Sequence, residues 1–268
     1  MEETRLSNPY KIEPPFVVSF SGGATSGFML KKILEAHGGS MPDESRVVFC
    51  NTGLEHPKTL EFVHKVETNF CPVTWIEYDK DTKYKIVDYK TAARDGEPFT
   101  ELVDKKKYLP NPVARICTVN LKIRANAAYM IAEGFEYWDN AIGLRADEPH
   151  RVHRMKGDRK AETPVMPMYT AGHTLEDVEA WWETQDFKLG IPRWMGNCCG
   201  CYLKSRGRLE MVAEEEPDLL RWWEETEERT GNRFRNDRDS YKGIRLQVLN
   251  QGRLWDDDGT TIPCTCTD

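Results

Sequence analysis

No run of eighteen apolar residues occurs in the 268-residue chain, which excludes a membrane-spanning helix. The opening Met1-Glu2-Glu3-Thr4-Arg5 lacks the apolar core of a signal peptide, so export is not expected. No internal repeat is found, which sets aside solenoids and propellers. Positive charge is in deficit: 37 Lys and Arg face 44 Asp and Glu, a net charge of −7. That balance disfavours a protein that coats nucleic acid nonspecifically. The Gly-Lys-Ser/Thr ending of the kinase and GTPase phosphate loop is missing as well.

Cysteine, by contrast, is present in quantity, at eight residues. Without an export signal, they place the chain in a reducing, cytoplasmic compartment. Clustered cysteines there more often serve metal or redox chemistry than disulfides. A hydrophobic content of 39% is enough for a packed core. The length suits one α/β domain over residues 1–172 and a mainly helical subdomain over 173–268.

The most informative segment is Val17-Val18-Ser19-Phe20-Ser21-Gly22-Gly23-Ala24-Thr25-Ser26-Gly27. A β-prone run ends in glycines and turns directly into the amphipathic stretch Phe28 to Leu34. The first N–H groups of a helix have no helical partner, and the helix dipole adds about half a positive charge there. Strand, glycine turn and helix therefore make an anion site, with Ser21, Gly22, Gly23, Thr25 and Ser26 as its candidate residues. Both glycines are expected to supply positive φ or close backbone approach.

Strands are predicted over residues 16–21, 46–51, 72–78 and 137–144. Helices are predicted over 26–37, 57–69, 121–133, 174–184, 203–216 and 218–230. Residues 79–116 and 146–172, which contain several prolines, read as an irregular insertion and a long loop. The tail from 232 reads as turn-rich. The alternation predicts an α/β fold with a doubly wound parallel sheet. Ligands of such sheets sit at the strand C-terminal ends, where Ser21, Asn51 and Gly53 fall. Thr174 and Asp177 have the spacing of a helix capping box.

Five segments together resemble one family. Ser21-Gly22-Gly23-Ala24-Thr25-Ser26 is similar to the SGGxDS pyrophosphate loop of the adenine nucleotide α-hydrolase-like superfamily. Val47 to Pro57 resembles a second strand followed by a DTGxxFPET turn. Arg115-Ile116-Cys117-Thr118 with Lys122 resembles a Cys-Cys…Arg-Lys segment. Ile142 to Glu148 resembles a GxRxxES turn, and Cys198-Cys199-Gly200-Cys201 falls where iron–sulfur members carry CxxC. In this order, over residues 15 to 205, they resemble the phosphoadenosine phosphosulfate (PAPS) reductase family. Thr25 replaces the loop aspartate, and Thr118 replaces the second cysteine of a tandem pair.

The resemblance implies an adenine nucleotide, ATP or APS/PAPS, on the glycine loop, with Asn51 near the base and Mg2+ as an accompanying ion. It also implies a 4Fe-4S cluster on Cys117, Cys198 and Cys201. Cys266 is the candidate fourth ligand, with Cys199 and Cys264 as alternatives. Cys198 and Cys201 alone also suit a structural zinc or a redox dithiol. Cys50 and Cys71 read as core. Arg145 and Arg151 suit bidentate binding of phosphate or sulfate, against pairing with Asp147 or Glu148. Arg145, Lys122 and Cys266 are the candidate catalytic residues.

Three functions follow as alternatives. One is ATP-dependent sulfur transfer to an adenylated acceptor, a nucleic acid among the candidates. Another is sulfonucleotide reduction with a thioredoxin-like reductant and a tail cysteine, Cys264 or Cys266. The third is a non-catalytic nucleotide-binding partner subunit. A homo-oligomer is compatible with each.

Overall fold

A computed structural model of the protein describes residues 8–155 and 161–254. Six strands form one sheet: β1 (Phe16–Ser19), β2 (Ser45–Asn51), β3 (Thr74–Glu77), β4 (Lys85–Val87), β5 (Trp138–Ala141) and β6 (Glu162–Val165). Their order is β4-β3-β2-β1-β5-β6. Every neighbouring pair is parallel except β3 with β4. Val18 is paired with Val47 on one side and with Ala141 on the other. Strand order reverses between β1 and β5, and a crevice opens at the C-terminal ends of strands at such a point.

Both faces of the sheet are buried, which is why β1 reads as a continuous apolar run. Phe16, Val18, Val47, Phe49 and Trp75 point to one face. There they meet α1 (Ala24–Ala36), α2 (Pro57–Asn69) and α7 (Leu175–Glu183). Val17, Val48 and Ile76 point to the other face, against Ala125, Tyr129 and Met130 of α4 (Ala125–Ala132). The capping box at α7 is present, with Thr174 and Asp177 bonding each other's backbone.

Trp182 locks α7 to the start of α1. Its indole N–H donates to the Ala24 carbonyl at 2.7 Å, and its ring stacks edge-on to Phe62 at 5.0 Å. Trp182→Phe keeps most of the volume but removes that hydrogen bond and leaves the carbonyl only its helical partner. A loss of about 1–3 kcal/mol is expected by urea denaturation. An unchanged midpoint would show that the bond contributes nothing.

A second core joins α3 (Glu97–Lys106) to α8 (Arg206–Glu215), α9 (Arg221–Thr230) and α10 (Tyr241–Gln251) around Trp223, Phe234 and Tyr241. It therefore draws on chain from both sides of residue 172.

The sequence reading missed four helices and two strands, most of them for one reason. It took proline as a breaker. α3 and the short helices α5 (Pro149–Arg154) and α6 (Pro167–Ala171) each carry proline in the first turn. A missing N–H costs nothing there. Pro164 lies in β6, at the sheet edge, where a ladder donor is dispensable. The segment 79–116 is thus an ordered part of the second core, with Phe99, Leu102 and Val103 buried. The tail holds α10, started by a Ser240 side-chain cap. The helix expected at 121 begins at Thr118 with a π-helical stretch, Thr118–Arg124, before α4. Among the described residues no helix is long and apolar enough to cross a membrane.

Candidate functional site

The loop between β1 and α1 is held by its own hydroxyls. Ser21 Oγ and Ser26 Oγ are 2.8 Å apart, and Ser26 Oγ donates to the Gly23 carbonyl at 3.1 Å. Ser26 Oγ also accepts from the Ser21 N–H at 3.2 Å. Ser21 and Ser26 therefore shape the loop, and Gly23, Ala24 and Thr25 line the cavity above it. No side chain caps α1, so its first N–H groups are left to a ligand.

Of the two loop glycines only Gly22 has positive φ, at 79°. Gly23 is extended, at φ −93°, a conformation open to any residue. Gly22 is also closely packed. A Cβ on it would lie 2.9 Å from Phe49 and Thr59, and 3.0 Å from Val63.

Across the switch point, the segment after β5 runs alongside Ser26, with Gly143 next to it. This delivers Arg145, whose Nη1 donates to Thr25 Oγ1 at 3.1 Å. Arg145 Nε bonds Asp147 at 3.0 Å, and its Nη1 lies 3.5 Å from Glu148. Glu148 also pairs with Arg151. One carboxylate thus orients both guanidinium groups toward the same cavity. The carboxylate pairing weighed in the sequence is real, and both arginines still line the cavity.

Asn51 lies elsewhere. It is fully buried, and its amide N–H groups donate to Glu77 at 2.7 Å and the Ala93 carbonyl at 2.9 Å. Its Oδ1 accepts from the Gly53 N–H at 3.2 Å. Those bonds shape the turn after β2, and neither Asn51 nor Gly53 is among the residues lining the cavity. Thr52 and Glu55 line it instead. Glu55 is itself fixed by the Thr52 N–H and hydroxyl, at 3.0 and 2.8 Å.

The cysteine turn is stitched to both loops. The His56 N–H donates to the Asn197 carbonyl at 3.2 Å, and Asn197 Nδ2 donates to the Ser21 carbonyl at 3.1 Å. Cys198 bridges to Glu55. Gly200 is required by close approach rather than by an unusual φ. A Cβ there would lie 2.2 Å from the Trp223 indole, and Tyr241 donates to the Gly200 carbonyl at 2.6 Å.

Loop, arginines and cysteines meet in one cavity of about 950 Å³. Cys117, Cys198, Cys201, Lys122, Arg145 and Arg151 all line it. Seven basic side chains face four carboxylates on its walls, so it favours an anion. Lys204 and Arg208 belong to it and were not singled out in the sequence. The only hint was the place of Lys204, three residues beyond Cys201. Residues 156–160, with the basic side chains Lys156, Arg159 and Lys160, and the tail with Cys264 and Cys266 lie outside the described residues.

The expected cluster is not supported. Iron–sulfur ligation needs thiolates converging on one metal group. Among the described residues no group of three or more His, Cys, Asp or Glu is placed to hold a metal ion. The three half-buried thiols line one cavity, and the Cys117 thiol lies 3.5 Å from the Tyr202 hydroxyl. Thr25 removes the one carboxylate the glycine loop would have offered Mg2+.

Cys199 is buried in the second core. Burial pushes its thiol up to about 12, against a smaller downward pull from Lys204. Cys71, also buried, is pushed up to about 11, and Cys50 to about 12, for the same reason. On this account stability is highest below the ordinary thiol value of 9.0 and falls as pH rises from there to about 12. Native protein treated with iodoacetamide at pH 8 should carry no label on Cys199. Labelling as fast as in urea would contradict its burial.

The chain is similar in sequence to known proteins. The profile of the phosphoadenosine phosphosulfate reductase domain matches residues 15–169. The uncharacterized nin region protein ORF290 of Escherichia phage lambda is 30% identical over 249 residues, covering 89% of this chain and 81% of that protein. A crystal structure of phosphoadenylyl-sulfate (PAPS) reductase from Candida auris, in a phosphate complex, aligns with a TM-score of 0.40 at 13% identity. The alignment covers 64% of this chain and 72% of that one.

Proposed function

We propose, for a chain that belongs to the phosphoadenosine phosphosulfate reductase domain family, an ATP-dependent step of sulfur transfer. The family makes it a nucleotide-binding enzyme of sulfur metabolism. The observation that carries the finer reading is the uncapped start of α1, opening into the same cavity as Arg145, Lys122 and the thiols. In this reading the β- and γ-phosphates lie against the first N–H groups of α1, at Ala24 and Thr25. An acceptor oxygen attacks the α-phosphorus, the α–β P–O bond breaks, and pyrophosphate leaves with the bonding electrons. The helix N-terminus stabilises the charge it carries away. Arg145, held by Thr25 and Glu148, steadies the phosphoryl oxygens at the reacting centre. A sulfur nucleophile of the sulfide or persulfide class then displaces AMP from the acceptor.

The thiols on the cavity wall favour a second reading, sulfonucleotide reduction. A thiolate attacks the sulfuryl sulfur of APS or PAPS, and the S–O bond breaks to release the nucleotide. A second thiol then attacks the cysteine sulfur, expels sulfite and leaves a disulfide for a thioredoxin-class reductant.

Purified protein with ATP and a candidate acceptor should release pyrophosphate; with PAPS or APS and a dithiol, the second reading expects sulfite. Sulfite without pyrophosphate would overturn the first reading. An acceptor that is a nucleic acid should bind with a salt slope of roughly one log–log unit per phosphate contacted.

A further inference from the structure

We infer that Lys204 forms a second oxyanion subsite on the cysteine wall of the cavity. It binds a tetrahedral anion, sulfate or phosphate, while the α1 N-terminus holds the nucleotide. The inference rests on the nucleotide reading above for the occupant of the first subsite.

Lys204 is only 6% exposed, yet it lines the cavity. Its ammonium donates one hydrogen bond, to the Cys198 carbonyl at 2.6 Å. That bond is to a neutral acceptor, and an ammonium has three N–H donors. Among the described residues no carboxylate forms an ion pair with it. Glu55, on the same wall, has its oxygens engaged by Thr52. A buried cation without a counter-charge is costly, and an anionic ligand supplies that charge.

The position is specific. The Cys198 carbonyl holds the ammonium beside the cysteine turn, which Asn197 ties to the glycine loop through Ser21. Arg208, in the first turn of α8, lines the same cavity and adds positive charge. Two anion subsites therefore face one cavity, one at Thr25 and Arg145 and the other at Lys204. A nucleotide phosphate at the first leaves the second for a sulfuryl, phosphoryl or phosphate-bearing acceptor group beside the thiols.

The test uses the full chain and calorimetry. Inorganic sulfate, and inorganic phosphate in parallel, are titrated into protein saturated with ATP. Wild type should bind at least one of the two anions. Lys204→Gln keeps an amide donor for the Cys198 carbonyl and removes the charge. It should weaken the anion at least tenfold while ATP affinity stays within twofold. Lys204→Arg, which keeps the charge, should retain more anion binding than Lys204→Gln. Equal anion affinity in wild type and folded Lys204→Gln overturns the subsite, as does wild type binding neither anion with ATP in place. If ATP itself does not bind, the nucleotide reading fails. Sulfate titrated alone into both proteins then still decides whether Lys204 contributes. Should Lys204→Gln not fold, sulfate should protect Lys204 of the wild type severalfold from acetic anhydride, mapped by peptide mass spectrometry. Equal modification with and without sulfate counts against the subsite.

Discussion

Gly22→Ala is expected to lower stability by about 2–5 kcal/mol and to abolish nucleotide binding in the molecules that remain folded. Two costs add. The backbone at Gly22 has φ 79°, a left-handed conformation that costs a residue with a Cβ roughly 1–2 kcal/mol. The new methyl would also press on Phe49, Thr59 and Val63 at 2.9 to 3.0 Å. Overpacking of that kind costs about 1–3 kcal/mol. Those neighbours belong to β2 and α2, so relief must come from the loop itself. A shift there moves the Ala24 and Thr25 N–H groups away from any phosphate. Chemical denaturation reads the first effect and ATP titration of the folded fraction the second. Gly23→Ala is the control. Gly23 is extended at φ −93° and needs no left-handed backbone, so it should keep most of the stability. Equal losses at both positions would refute the argument from φ.

The second large effect is expected from Arg145→Lys. The guanidinium spans Thr25, Asp147 and Glu148 at 3.0 to 3.5 Å. Lysine is a point charge and cannot reproduce a planar fork with several partners. Turnover in the pyrophosphate-release assay should fall roughly 100-fold, the scale on which a single donor at a developing charge acts. ATP affinity, which rests mainly on the α1 N-terminus, should change little. Steady-state kinetics with an independent ATP dissociation constant separates the two. If ATP affinity falls while turnover at saturating ATP does not, Arg145 is a binding residue only. Unchanged turnover and unchanged affinity would leave it an ion pair without a role in the reaction.

The glycine loop and the cysteine turn show how far local pattern reaches. Strand, turn and helix at residues 16–36 depend on neighbours a few positions apart, so they are legible in the chain. The order of the five motifs identified the family for the same reason. Ser21 and Ser26 were legible as part of the loop but not in their role. Their hydroxyls bond each other, and no spacing rule distinguishes that from a hydroxyl aimed at a ligand. Asn51 was placed at the correct strand end, yet Glu77 and Ala93 hold its amide. The expected cluster placed three cysteines on one cavity correctly and over-read what they hold. Spacing along a chain says that thiols can meet, and convergence at metal distance is a property of the packed loops.

By itself, the amino-acid sequence determined the mostly parallel α/β architecture, the strand–glycine–helix turn and the family. Each rests on local backbone preference and on the periodicity of apolar residues. Tertiary structure alone decided which side chains the cavity receives. Thr25 and Arg145 are 120 positions apart, and Asn197 and Ser21 are 176 apart. Their meeting depends on how β5 and the cysteine turn pack against the β1–α1 loop. Lys204 became a cavity residue for the same reason: burial is set by every neighbour at once, and a carboxylate partner can come from any part of the chain.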